Sequence, residues 1–361
     1  MEEDGTKVIV VLGMHRSGTS VITRGLQVLG VDLGNQLMPP FEGNNSKGFW
    51  EDVDINGLNI EMLHSLDSEW HFLTPIQPAD VDTLCKNGYL QRAVDLLRAK
   101  TSGAKVFGFK DPRVAKLLPF WKEVFAQGQL NVEYVLVIRH PLSVGDSLAK
   151  RDGFDIQKSH LLWLEHVIGS LVGTAGANRV LVDYDTFMRS PETELTRVAH
   201  KLQLTIRAAE LQEFQDEFLD HQLRHTIHQL DELMQDSQSP PLVQEVYSSL
   251  VATAAGDGNL ENPLLKDKIA QYYREFSRMR SALVLADSLG TKLATVTAER
   301  DALIAERNRL LRERTEVRQD VLAKEQAMQN LKTELLAIQQ SRMWRWTQPL
   351  RRFLSLFRQT K

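Results

Sequence analysis

"VIVVLGMHRSGTS" (residues 8–20) opens as an apolar run, breaks at Gly13 into a polar turn, and resumes after Gly18 in small hydroxyl residues. A short run of β-branched and aliphatic side chains bounded by glycine predicts a strand buried on both faces. The next stretch, "SVITRGLQVLG", places apolar residues at helical spacing and ends on Gly30, so it predicts a helix. A glycine turn between strand and helix offers backbone N–H groups to an anion. Gly13 and Gly18 have the spacing of an ATP- or GTP-binding loop, but Thr19 and Ser20 stand where such loops carry Lys and then Ser or Thr. Arg16 supplies a positive charge from within the turn, and Ser17, Thr19 and Ser20 supply hydroxyl donors.

Outward from this loop, strand-like and helix-like segments alternate. "AKVFGFK", "VEYVLVIRH" and "RVLVDY" read as further strands; "PLSVGDSLAKR", "DIQKSHLLWLEHVIGSLVGTAG" and "SPETELTRVAHKLQL" read as helices. This order predicts an α/β fold, a P-loop-like parallel sheet flanked by helices, with ligands at the carboxyl ends of the strands. Residues 31–57 are rich in Gly, Pro and Asn and predict a long functional loop. "QDSQSPP" (235–241) predicts the end of the core domain.

A second constellation lies in "VLVIRHPLSVGDSLAKR": Arg139 closes a strand, and Ser147 follows eight residues later in a helix. A guanidinium engages phosphate bidentately and a hydroxyl adds a neutral donor. "HRSGTS" resembles the 5′-phosphosulfate loop of sulfotransferases that use 3′-phosphoadenosine 5′-phosphosulfate (PAPS), with Arg16 where cytosolic members carry lysine. The Arg139–Ser147 pair resembles that family's 3′-phosphate grip. "NNSKGFWED", "FGFKDPR" with "LLPFW", and "LVDYDTFMRSPETEL" resemble bacterial carbohydrate-type sulfotransferases. The resemblance runs from residue 7 to about 230.

It implies a PAPS-dependent sulfotransferase (EC 2.8.2 type) that transfers the sulfuryl group in line to a hydroxyl of a glycan or glycolipid, with no metal. The cofactor-binding residues are then Arg16, Ser17, Gly18, Thr19, Ser20, Arg139 and Ser147. For the base, the resemblance implies a glutamate after the cofactor helix, which is Glu51; His15 is the alternative. Lys110 is placed to stabilise the bridging oxygen or the sulfuryl group. Asp52, Asp111 and Arg113 are acceptor candidates, although Asp52 also suits a helix cap and Arg113 also suits an ion pair with Asp111. Arg224 and His225 are candidates to close over the cofactor.

The single cysteine, Cys85, rules out an internal disulfide framework and predicts a reducing compartment. No run of about 18 apolar residues predicts a spanning helix, and the acidic start does not read as a signal peptide. From residue 286, two heptad columns (Leu289, Val296, Leu303 onward, and Ala286, Leu293, Arg300 onward) predict a coiled coil, with self or another protein as partner. The last twenty residues carry six basic groups and no acid, and taking those charges from the net −4 leaves about −10 on the remainder. An acidic body argues against whole-protein nucleic-acid binding. The tail, "SRMWRWTQPLRRFLSLFRQTK", resembles a short motif at the ends of bacterial polysaccharide-assembly proteins; it suits either an interfacial membrane contact or packing against protein. The expected layout is a sulfotransferase domain over 1–235, a helical linker over 236–285, a coiled coil over 286–341 and a basic amphipathic tail over 342–361. The expected location is cytoplasmic, with the tail allowing a peripheral position on the inner face of the membrane. The competing readings are a P-loop kinase, which needs the missing lysine, and a non-catalytic nucleotide-binding scaffold acting through the coiled coil.

Overall fold

The computed structural model describes residues 6–41, 45, 47–219, 228–256 and 258–356. The opening strand β1 (Lys7–Gly13) is followed by α1 (Thr19–Val28), a long loop, and four helical segments and a strand: α2 (Val53–Ser65), α3 (Pro78–Lys86), α4 (Tyr89–Thr101), β2 (Val106–Lys110) and α5 (Arg113–Gln127). Then come β3 (Asn131–Ile138), α6 (Pro141–Asp152), α7 (Ile156–Gly173), β4 (Arg179–Asp183), α8 (Tyr184–Arg189), α9 (Pro191–Leu202) and α10 (Ala208–Glu213), which runs into a π-helical turn, Phe214–Phe218. The chain continues through α11 (Leu230–Gln235), α12 (Pro241–Ala255), α13 (Pro263–Arg278), α14 (Arg280–Gln340), α15 (Arg342–Trp346) and α16 (Gln348–Leu356).

The four strands form one parallel sheet in the order β2-β1-β3-β4. Ile9 lies opposite Gly108 on one side and Glu133 on the other, and Leu136 opposite Leu181. Alternation along β1 divides the core. Val8, Val10 and Leu12 pack on the face covered by α2, α4, α5, α7, α12 and α13. Ile9 and Val11 pack on the other face with α1, α8 and α9. Both faces are covered, which explains why these strands read as unbroken apolar runs.

The strand order also creates the binding crevice. The connection leaving β1 crosses to β2, whereas the one leaving β3 crosses to β4, in the opposite direction. Divergence at neighbouring strands opens a gap at their carboxyl ends. The Gly13–Gly18 turn and Arg139 stand there, one after each strand.

Two expectations differ from the observed layout. The loop expected over 31–57 ends sooner, because Asp52 caps α2 by accepting from the N–H groups of Asp54 and Ile55. Residues 236–285 were expected as a linker, yet Val243, Val246, Leu250, Ile269 and Phe276 are buried in the first core. The first compact unit accordingly extends to Asp287, and Ser288–Lys361 forms a second. Asp287 itself accepts from the N–H groups of Leu73 and Thr74, each at 2.8 Å. Within the second unit, the residues of α14 beyond Leu289 are exposed or half-exposed.

Candidate active site

The loop after β1 turns through two left-handed residues, Arg16 (φ 68°) and Gly18 (φ 80°). Gly18 has a strict reason to be glycine. A Cβ there meets the ring of Tyr184 at 2.0 Å and 2.4 Å. No side chain caps α1, so its first N–H groups face the crevice as anion donors. The Ser17 hydroxyl is buried and, among the described residues, has no hydrogen-bond partner. An uncapped helix start and an orphaned buried hydroxyl on a turn with no room for a Cβ are features of a loop shaped for a ligand anion.

A cation from the end of β3, Arg139, and a hydroxyl from α6, Ser147, converge on the loop's own Arg16. Arg16 Nε donates to Ser147 Oγ at 2.7 Å, and Arg139 Nη1 donates to the Arg16 carbonyl at 2.9 Å. The Arg139 guanidinium lies 4.7 Å from the centroid of the Tyr184 ring, and its own carbonyl accepts from Trp163 Nε1 at 3.2 Å. Arg139, Ser147 and the loop thus form one connected cluster. Burial and the neighbouring Arg151 and Arg139 lower the Arg16 pKa, because each disfavours a further positive charge.

Opposite stands a carboxylate network. Lys110, at the end of β2, donates to Glu51 Oε1 at 2.7 Å, to the Phe49 carbonyl at 2.6 Å and to Ser20 Oγ at 3.3 Å. Asn56 on α2 donates to Glu51 Oε2 at 2.9 Å and to Asp111 at 3.2 Å. Asn59 also holds Asp111, at 2.9 Å, and is in turn held by Trp121 Nε1. Arg113 pairs with Asp111 at 3.0 Å and approaches Glu51 at 3.9 Å. Burial raises the Glu51 pKa; Lys110 opposes this and Asp111 adds to it. His15 packs against Trp70, with ring centroids 4.3 Å apart. Burial, then Arg113 and Arg151, hold its pKa well below the usual value, so His15 is neutral.

These residues surround a cleft of about 480 Å³, within the range of small-ligand sites. Of the sequence candidates, His15, Arg16, Gly18, Thr19, Ser20, Glu51, Lys110, Arg113 and Arg139 line it. Ser17, Ser147, Asp52 and Asp111 do not. Ser147 acts on Arg16 from behind. Asp111 orients Arg113, Asn56 and Asn59. Asp52 points elsewhere: it caps α2 and pairs with Lys100 at 2.8 Å. Arg224 and His225 fall outside the described residues. Among the described residues no group of three or more His, Cys, Asp or Glu side chains is gathered as a metal site.

Sequence reasoning missed Tyr184, Asn56, Trp70 and Arg151. Tyr184 had a usable signal, since it directly follows a predicted strand at the ligand edge of the sheet. Asn56, Trp70 and Arg151 had none; each reaches the cleft only through helix and loop packing.

Fold and site together define a P-loop-like α/β protein with an arginine-lined cleft at its topological switch point. No family model and no curated protein matches the chain. Solved structures similar to it include the sulfotransferase domain of the Synechococcus PCC 7002 olefin synthase, at 14% identity, TM-score 0.37, covering 74% of this chain and 95% of that one. The sulfotransferase domain of the curacin biosynthetic pathway is similar at 16% identity, TM-score 0.37, covering 75% and 98%. A sulfotransferase from Alicyclobacillus acidocaldarius is similar at 12% identity, TM-score 0.35, covering 72% and 95%. At such low identity, only the side chains of the cleft itself speak to chemistry.

Proposed function

We propose that this chain is a PAPS-dependent sulfotransferase acting on a hydroxyl of a glycan or glycolipid. The observation that carries the reading is the Arg16–Ser147–Arg139 cluster, built around a loop that lacks the lysine of ATP-binding proteins. In this reading the loop N–H groups, Thr19, Ser20 and Arg16 hold the 5′-phosphosulfate and Arg139 takes the 3′-phosphate, while Ser147, outside the cleft lining, fixes the Arg16 guanidinium. The donor, when bound, supplies an activated sulfuryl group on a phosphate leaving oxygen. Lys110 sits between Ser20 and Glu51, so one ammonium stabilises charge on the transferred group while keeping the carboxylate beside it. Glu51, with its proton affinity raised by burial, takes the proton of the acceptor hydroxyl. His15, neutral and lining the same cleft, is a second candidate for that proton.

A kinase reading fares worse. The loop lacks the lysine, β3 beside it ends on the cation Arg139, and the aspartate after β2 on its other side, Asp111, is already held by Asn56, Asn59 and Arg113. The acceptor class rests on the motif resemblance. The tail carries its own reading. Among the described residues no helix is long and apolar enough to cross a membrane. Trp346, Leu350, Phe353 and Leu354 are exposed among arginines, a pattern we assign to the surface of an anionic bilayer on the cytoplasmic side. Sedimentation with anionic vesicles, abolished by deleting 342–361, is the expected result; equal sedimentation of the deletion rejects it.

The test of the main reading is calorimetric titration with 3′,5′-adenosine bisphosphate against ATP with magnesium. The bisphosphate is expected to bind preferentially. Arg139→Ala is expected to weaken it by roughly 10–150-fold, the value of a charge-assisted contact of about 1.5–3 kcal/mol. Because Arg139 also steadies the loop, Ser147→Ala serves as a milder companion. Preference for ATP, or no binding of either nucleotide at millimolar concentration, overturns the assignment.

A further inference from the structure

Beyond Asp287 the long helix α14 turns its apolar heptad column to solvent. Leu293, Val296, Leu303, Leu310 and Leu331 are each half-exposed or more. With Leu293 at position a and Val296 at d, Arg300, Arg307 and Arg314 fall at successive a positions. Each is immediately preceded by a glutamate at g: Glu299, Glu306 and Glu313. We infer that α14 pairs with α14 of a second copy of this chain as a parallel, in-register, two-stranded coiled coil. In it, each seam arginine is neutralised by the glutamate that precedes its counterpart.

The orientation follows from the geometry of heptads. In a parallel pair the side chain at a packs between residues of the facing helix that include g of the preceding heptad. That is the position Glu299, Glu306 and Glu313 occupy, three layers in succession. An antiparallel pair instead sets g against g along one flank. The g column reads Glu299, Glu306, Glu313, Asp320 and, after Ala327, Glu334, so that flank is acid against acid. The parallel flank matches Glu313 with Arg318 and has a single like-charged match, Asp320 with Glu325.

The strand number follows from the arginines. In a two-stranded seam an a-position arginine lays its stem along the apolar stripe and carries its head to the solvated rim. A third helix closes that exit and buries the charge. Ile304 and Leu311, at e beside the arginine layers, are 41% and 48% exposed and widen the apolar stripe where the seam itself is polar. In the single chain Arg300 and Arg307 reach along their own helix to Asp301 and Asn308. Both are surface contacts of little energy that pairing can exchange.

The inference is independent of the chemistry at the cleft. Its test uses the full chain in a Cys85→Ser background, which carries no other thiol. Leu303→Cys and Leu331→Cys are made separately and equilibrated in a glutathione redox buffer. A parallel, in-register pair crosslinks identical positions in both variants. An antiparallel pair brings at most one position against itself. Sedimentation velocity of the unsubstituted chain at micromolar concentration is expected to give a dimer. Reversing Arg300, Arg307 and Arg314 to Glu is expected to raise the dissociation constant roughly sixtyfold, about a factor of two for each contact, with three contacts each made twice. Adding Glu299→Arg, Glu306→Arg and Glu313→Arg is expected to restore dimerisation. Circular dichroism of each variant confirms that the helix persists. A monomer, a trimer, crosslinking at one position only, or failure of the compensating set overturns the inference.

Discussion

Replacing Gly18 by Ala tests the loop geometry most directly. The added Cβ lies 2.0 Å from Tyr184 Cδ2 and 2.4 Å from Cε2, far inside van der Waals contact. Two costs follow. An L-residue held at φ 80° loses about 1–2 kcal/mol. Displacing a packed ring adds roughly 1–3 kcal/mol. Together these lower the unfolding midpoint by roughly 3–8 °C for a unit of this size. The consequence for the cleft is separate. The Tyr184 ring lies 4.7 Å from the Arg139 guanidinium, so moving it removes a cation–π contact of about 0.5–2 kcal/mol and weakens bisphosphate binding by roughly 2–30-fold. Differential scanning fluorimetry and calorimetry read the two effects. Combining Gly18→Ala with Tyr184→Ala isolates the cause: without the ring only the backbone cost remains, so the two substitutions should couple by about 1–3 kcal/mol. An equal cost of Gly18→Ala in both backgrounds refutes the ring clash as the reason for glycine.

Three further outcomes follow from the carboxylate and lysine networks. Glu51→Gln should lower kcat by roughly 10²–10⁴-fold and also destabilise the fold, because Lys110 loses its 2.7 Å counter-charge; wild-type turnover in the variant excludes Glu51 as the base. The pH profile gives an independent check. Burial raises the Glu51 pKa, so kcat/KM should climb as pH rises through a value above the ordinary carboxylate range, and that limb should vanish in Glu51→Gln. Persistence of the limb there, with its loss in His15→Gln, transfers the role to His15. Near the cleft, where His166 lies 6.3 Å from His15, buried Lys116 donates to the carbonyls of Phe72 and Thr74 and pairs with Glu165 at 3.4 Å. Lys116→Met should cost about 3–5 kcal/mol by leaving the buried Glu165 carboxylate with His166 as its one remaining partner among the described residues, and Lys116→Met with Glu165→Leu should recover part of it. Despite burial, Lys116 and His166 hold the Glu165 pKa below its ordinary value. Its contribution is therefore present at neutral pH and is lost as pH falls through that lowered pKa. Chemical denaturation across pH measures both; equal stability of the single and double variants contradicts the pairing.

Local pattern determined a good deal by itself. The four strands were legible because each is a short apolar run ended by a glycine, a proline-led helix or a charged residue, and burial on both faces of a parallel sheet leaves no alternation to obscure them. Gly13, Arg16 and Gly18 marked the anion loop because turn, charge and helix start are neighbours in the chain. The heptad of α14 was legible because a helix repeats its facing positions at fixed intervals. Other features required the folded chain. The amphipathic α12 and α13 look alike as linker helices or as core helices, and only the sheet beneath them makes Val243, Val246 and Phe276 interior. The sequence offered Glu51 as the base and Asp52 as either an acceptor contact or a cap; the start of α2 makes Asp52 a helix cap paired with Lys100 and turns Glu51 toward Lys110. Tyr184 meets Gly18 across more than 160 residues. Spacing along a chain reports what one element does, whereas a cleft depends on which elements the sheet order brings side by side.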